Sequence, residues 1–180
     1  MIAIMSISFF DHLLCLKHSQ RRFSSGELVF ERADPISQYY AVQSGEVHLL
    51  RRQEDGKAVI LQRAVAGAIL AEASFGAQAY HCSAVAATDS TLVIFNRKHV
   101  QELLITNSVV AGAFTAHLAR EVQNARRRAE ILSLHRVADR VSAWLVWNEG
   151  ILPPKGSWYR MAAEIGVSGE ALYRELARRR

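Results

Sequence analysis

Ser157-Trp158-Tyr159-Arg160-Met161-Ala162-Ala163-Glu164-Ile165-Gly166-Val167-Ser168-Gly169-Glu170-Ala171-Leu172-Tyr173-Arg174-Glu175-Leu176-Ala177-Arg178 reads as helix, tight turn, helix. Ala162 allows close helix approach, Gly166 supplies a sharp turn, Val167 plugs the space between the helices, and Ser168 is a good N-cap for the second. At about 100° per residue, Leu172 and Leu176 face inward while Glu170, Arg174 and Arg178 line the opposite side.

Upstream, Gly150 to Gly156, with Pro153-Pro154 inside, reads as a hinge-like connection. Before it, Val110, Phe114, Leu118, Val122, Ala125, Ala129 and Leu132 recur at helical spacing. No glycine or proline occurs from Ala113 to Glu149, so a long helix is expected, with a break near Ser133 allowed. A stripe that long outruns one small domain, and an identical helix from a second copy is its natural partner. The residues expected at that dimer interface are Phe114, Leu118, Val122, Ala125 and Leu132. The alternative is a helix packed only on its own chain.

From Phe23 to Phe95 the pattern changes to short β-rich runs separated by turn residues, the mark of a small antiparallel barrel or sandwich. The runs are Glu27–Phe30, Tyr39–Gln43, Glu46–Arg51, Ala58–Leu61, Ser83–Ala87 and Thr91–Phe95. Asp55-Gly56 between two apolar runs is a hairpin signal, because both residues tolerate the positive φ that such turns need.

The 180 residues carry 22 Lys+Arg against 17 Asp+Glu, a net charge of +5. All of the excess lies beyond residue 114, so a neutral front precedes a basic back half of the kind that meets a polyanion. Half of the residues are hydrophobic, which excludes a disordered chain. Two cysteines, Cys15 and Cys82, cannot furnish a four-thiolate cluster or a secreted disulfide framework, and a reducing cytoplasm is the expected location. The apolar Met1–Phe10 opening lacks a basic leader and meets Asp11 and His12 early, so neither export nor a membrane partner is expected.

The outer face of the last helix has residue types suited to the DNA major groove. Arginine donates in bidentate fashion to guanine, and glutamate accepts from cytosine. The candidate contacts to double-stranded DNA are Ser168, Gly169, Glu170, Tyr173, Arg174 and Arg178, followed by Arg179-Arg180. Glu170 and Arg174 are also an ordinary intrahelical pair. No nucleophile, base and orienter group together, and no clustered His/Glu set suggests a metal or a cupin-like enzyme; no catalytic residue is assigned.

These pieces in this order resemble the CRP/FNR family of bacterial transcription regulators. The resemblance rests on Gly26-Glu27, Tyr40-Ala-Val-Gln-Ser-Gly45-Glu-Val47, Gly67-Ala-Ile-Leu-Ala-Glu72-Ala73-Ser74, and Ala163-Glu-Ile-Gly-Val-Ser168 with Glu170 and Arg174. It implies an α+β chain: an antiparallel β-roll (a jelly-roll-like double-stranded β-helix), then a long dimerisation helix, then a small helix-turn-helix domain. The expected boundaries are 1–107, 108–134 and 135–180. It also implies a homodimer on a palindromic operator, with RNA polymerase as a further partner.

The same resemblance places an effector pocket at Glu72, Ala73, Cys82, Ser83 and Arg126. In nucleotide-responsive relatives an arginine stands where this chain has Cys82, and a Thr-Ser pair stands at about Ala125-Arg126. A neutral thiol cannot replace a bidentate clamp on phosphate, so a degenerate cyclic-nucleotide pocket is expected. Haem on His81-Cys82 is not supported by the surrounding motif, and no cofactor is assigned. Family members continue into a two-stranded wing, whereas this sequence stops at Arg180. A C-terminally short chain with a frayed last helical turn is therefore expected, and the rival function is an effector or interaction module that does not bind DNA. Gly169 stands where many relatives place a half-site-reading arginine.

Overall fold

The protein is described from a computed structural model that covers residues 8–55 and 58–179. It divides into two compact units, one up to Leu118 and one from Ala119 onward.

The first unit opens with α1 (Phe9–Leu13), which a reciprocal Ser8–Asp11 capping box starts. Seven strands follow: β1 (His18–Phe23), β2 (Leu28–Phe30), β3 (Gln38–Ser44), β4 (Glu46–Arg52), β5 (Ala58–Val65), β6 (Ser83–Ala86) and β7 (Ser90–Asn96). They form a three-stranded sheet ordered β1-β7-β3 and a four-stranded sheet ordered β2-β6-β4-β5, with every pairing antiparallel. All six apolar runs expected from the sequence fall on strands. Alternation sets which faces meet, since Ala84 and Ala86 of β6 are buried while Ser83 and Val85 are not. With Phe23, Tyr39, Val47, Leu92 and Phe95 they make the core.

Arg52 pairs with Ala58, closing the expected β4–β5 hairpin, although Gly56 of its Asp55-Gly56 signal lies outside the described residues. So do Met1–Ile7 of the apolar opening and Arg180. Gly45 joins β3 to β4 at φ +90°, and a Cβ there would collide with Ser90 Oγ and the Asp89 carbonyl; only glycine fits. Three elements had no counterpart in the sequence reading: α1, β1 and α2 (Arg97–Thr106). In β1 every residue but Phe23 is exposed, so no alternation is visible.

Asn107 ends α2 and caps α3 (Ser108–Ser133), accepting the Val109 and Val110 amides at 3.1 and 3.2 Å. The second unit contains the rest of α3, α4 (Val137–Trp147), α5 (Trp158–Glu164) and α6 (Gly169–Arg178). The long helix does break after Ser133. Ile131, Val141, Trp144, Trp158, Met161, Ala162, Ile165, Leu172 and Leu176 form one apolar core. Both buried indoles find polar partners, Trp144 on Glu164 at 3.0 Å and Trp158 on the Pro153 carbonyl at 2.9 Å.

Helix α6 runs through Arg178, and Arg179 donates to the Ala138 carbonyl at 2.6 Å, Ser142 Oγ at 2.9 Å and Glu175 at 2.7 Å. These bonds fasten the end of α6 to α4.

Candidate nucleic-acid interface and effector pocket

Helix α5 ends at Glu164, and the chain reverses through Gly166 at φ +66°, where the Val167 amide returns to the Ala162 carbonyl at 2.9 Å. Ser168 Oγ then accepts the Ala171 amide at 3.1 Å and starts α6. Leu172 and Leu176, 0% and 4% exposed, anchor one side of α6 in the core. That anchoring turns Glu170, Tyr173, Arg174 and Arg178 outward, all exposed. Glu170 and Arg174 form a loose pair at 3.7 Å with 80% and 72% of their side chains exposed, so each is available to another partner. Tyr173 leans its ring on Trp158 at 4.9 Å. Nothing stands within 4 Å of where a Gly169 Cβ would be.

At the start of α5, Arg160 donates to the Tyr159 hydroxyl at 2.9 Å and its guanidinium lies over that ring; both residues are exposed. The sequence reading passed over this cation–aromatic pair, and the adjacency of the two residues was its only signal.

Of the five residues expected on the dimer face, Val122 and Ala125 are exposed and Leu118 is half-buried. Phe114 packs within its own chain, its ring 4.8 Å from both Phe9 and Phe75. Leu132 lies against the α5–α6 turn, where its Cδ2 would be 2.6 Å from a Gly166 Cβ.

In the first unit, Ala71 takes a left-handed conformation at φ +53° and leads into a single 3₁₀ turn, Glu72–Ser74. This turn lies beside the segment that leads into β6: Ser74 bonds to His81, and the Glu72 carboxylate acts on Cys82. The thiol of the fully buried Cys82 is pushed up to about 11 by burial and by the Glu72 carboxylate, against a smaller opposing pull from Arg51. It is therefore neutral near pH 7, not an activated thiolate. His81 is held below its ordinary value by burial and by Arg51. The Ser74 hydroxyl accepts the His81 amide at 3.4 Å and meets His81 Nδ1 at 2.6 Å. Ser83 Oγ accepts the Arg32 amide at 3.0 Å.

Arg51 was missed from sequence, Ser74 was read only as part of the Gly67–Ser74 motif, and His81 only as an unsupported haem ligand. Arg51 reaches the His81 carbonyl at 3.3 Å only because the β4–β6 register sets Leu50 opposite Ser83. The fifth expected pocket residue, Arg126, is an exposed residue of α3 in the second unit. Among the described residues no group of three or more His, Cys, Asp or Glu is placed to hold a metal ion, and no helix is long and apolar enough to cross a membrane.

Residues 20–107 match the family described as the cyclic nucleotide-binding domain. The cyclic AMP receptor protein of Thermus thermophilus is 29% identical over 168 residues, covering 91% of this chain and 78% of that protein. The nitrogen fixation regulation protein FixK of Bradyrhizobium diazoefficiens is 27% identical over 149 residues, covering 82% of this chain and 60% of the relative. In fold, the chain is similar to FixK2 from Bradyrhizobium japonicum, with a TM-score of 0.72 at 19% identity over 91% of this chain and 84% of that one. It is similar also to the catabolite activator protein of Thermus thermophilus, with a TM-score of 0.55 at 26% identity over 89% and 77% of the two chains. A cyclic nucleotide-binding domain over residues 20–107, a long helix and a helix-turn-helix follow one another along a chain that is similar in sequence to the CRP and FixK regulators of transcription.

Proposed function

We propose that this chain is a homodimeric, sequence-specific DNA-binding regulator of transcription that works in the cytoplasm without catalysing a reaction. The observation that carries this reading is the two-sided character of α6. Leu172 and Leu176 lock one side into the core, and Glu170, Arg174 and Arg178 project from the other with long, hydrogen-bonding ends. An exposed α-helix of that kind, begun by a capped turn, fits the major groove, where arginine reads guanine and glutamate reads cytosine. Tyr159 and Arg160 at the start of α5 suit phosphate contacts beside the groove. The exposed Val122 and Ala125 with Leu118 supply the face on which a second α3 packs, giving two recognition helices for a palindromic site with half-sites about one helical turn apart. RNA polymerase is the partner such a complex would address.

The pocket departs from a cyclic-nucleotide site in its charge. A buried neutral thiol at Cys82 gives a phosphate neither charge nor a bidentate donor, so the pocket is read as degenerate for cyclic nucleotides.

Selection of randomised duplexes by the purified protein, followed by anisotropy titrations at two salt concentrations, tests the proposal. An enriched two-fold-symmetric sequence with a steep salt slope is expected. No enrichment, or weak sequence-blind binding, would sink it. Calorimetric titration with cyclic AMP should give no heat of binding; saturable heat would overturn the degenerate-pocket part alone.

A further inference from the structure

Arg140 of α4 gathers carbonyls from three separate segments of the second unit. Its Nε donates to Leu134 at 2.7 Å and its Nη2 to Leu132 at 3.1 Å. Its Nη1 donates to Ile165 at 3.1 Å and to Gly166 at 2.9 Å. Leu132 belongs to the last turn of α3, Leu134 to the link that follows, and Ile165 and Gly166 to the end of α5 and the turn into α6. The last carbonyls of a helix have no partner within it and carry the negative end of its dipole. One guanidinium thus closes two helix C-termini at once, using a planar fork of donors that a lysine ammonium does not possess.

Steric contact accompanies these bonds. A Cβ at Gly166 would stand 2.6 Å from Leu132 Cδ2 and 3.2 Å from Arg140 Nη1, so the turn lies directly on the end of α3. Two residues later Ser168 begins the exposed helix. The end of α3 and the turn into α6 are thus joined in space by the Leu132–Gly166 contact and by the hydrogen bonds of Arg140.

We propose that Arg140 is a positioning residue that fixes the angle between α3 and the recognition helix α6, and so sets the half-site spacing that the dimer accepts. The inference rests on the DNA-binding dimer reading and extends it to the origin of spacing specificity. A residue that only stabilised the unit would lower affinity for every spacing alike. A positioning residue leaves affinity for a single half-site in place and blurs the choice among spacings.

The test uses the full chain as wild type, Arg140→Lys and Arg140→Gln, with two readouts. First, duplexes carrying the selected half-sites at the preferred spacing, and at spacings one base pair shorter or longer, are titrated. Wild type should discriminate among them, and Arg140→Lys, which keeps the charge, should lose about tenfold of that discrimination while binding an isolated half-site equally well. Unchanged discrimination in Arg140→Lys, or an equal loss on the isolated half-site, overturns the proposal.

Second, hydrogen exchange is measured without DNA. The Leu134 and Val167 amides, which bond to Ile131 and Ala162, should speed up together by about tenfold in both variants, while amides around Trp144 stay protected. If wild type selects no duplex, the DNA reading has failed. The exchange data then decide the clamp alone: independent or unchanged rates at Leu134 and Val167 overturn it. Should Arg140→Gln fail to fold, Arg140→Lys carries both readouts.

Discussion

Phe75 and Phe114 lie with ring centroids 4.8 Å apart and planes inclined at 38°. Phe75 follows the Glu72–Ser74 turn and stacks on Tyr39 at 3.9 Å, while Phe114 belongs to α3 and also meets Phe9 at 4.8 Å. The pocket turn and the first turns of α3 therefore share one aromatic cluster, and neither can shift without repacking the other. Phe114→Ala should destabilise the first unit by about 2 kcal/mol, below the range for a fully buried ring because Phe114 is half-buried. Urea denaturation followed through the first unit checks this, and Phe114→Leu should recover most of the loss.

Two glycines three residues apart should answer oppositely to the same substitution. Gly166→Ala places a methyl against Leu132 at a left-handed φ and should cost about 2–4 kcal/mol. Gly169→Ala, in open space at the first turn of α6, should be neutral or stabilising by up to about 1 kcal/mol. Thermal unfolding of the two variants is the measurement; a mild effect at Gly166 would mean that Leu132 gives way easily.

Glu170 and Arg174 separate stability from recognition. As an exposed, loose pair they contribute at most about 0.5 kcal/mol, so Glu170→Ala and Arg174→Ala should leave the melting temperature nearly unchanged. Each should nevertheless weaken binding to a selected site by about 1–3 kcal/mol and relax preference at one base pair. Anisotropy titrations against matched and single-mismatch duplexes distinguish a base reader from a surface ion pair.

Two neighbouring groups that both feel Arg51, His81 and Cys82, bound a pH window. His81 is held below its ordinary 6.5, so the stability it contributes is present above that value and is lost as pH falls through its lowered value in the folded protein. Cys82 is raised from 9.0 to about 11, so its contribution is present below pH 9 and is lost as pH climbs toward 11. Tyr80, raised by burial, acts in the same direction as Cys82. Denaturant midpoints measured across pH should fall on both sides, with the alkaline limb shallower in Cys82→Ala. In the folded protein at pH 8, iodoacetamide should label exposed Cys15 and spare Cys82.

What was legible in the sequence follows from the range of the forces involved. Strand ends were marked by Gly26, Gly45 and Asp55-Gly56, because turn chemistry is local. Ser168 and the Leu172/Leu176 spacing marked α6 for the same reason. Strand β1 was silent, since its residues other than Phe23 face solvent and only its pairing with β7 makes it a strand. Arg51 beside Cys82 depends on register between strands, and Arg140 on where two helices end, neither of which leaves a pattern along the chain. Leu132 carried a correct period, but its stripe could not say that Gly166 would share it.

Arg179 alters the arithmetic of counterion release. Its guanidinium is held by Ala138, Ser142 and Glu175 on the protein's own surface, so it is not free to displace a cation from a phosphate. Arg178 keeps its charge outside. The logarithmic dependence of binding on salt changes by about 0.9 for each phosphate neutralised. Neutralising Arg178 should therefore flatten that dependence, whereas neutralising Arg179 should leave the slope alone and instead loosen the end of the helix that carries its neighbours.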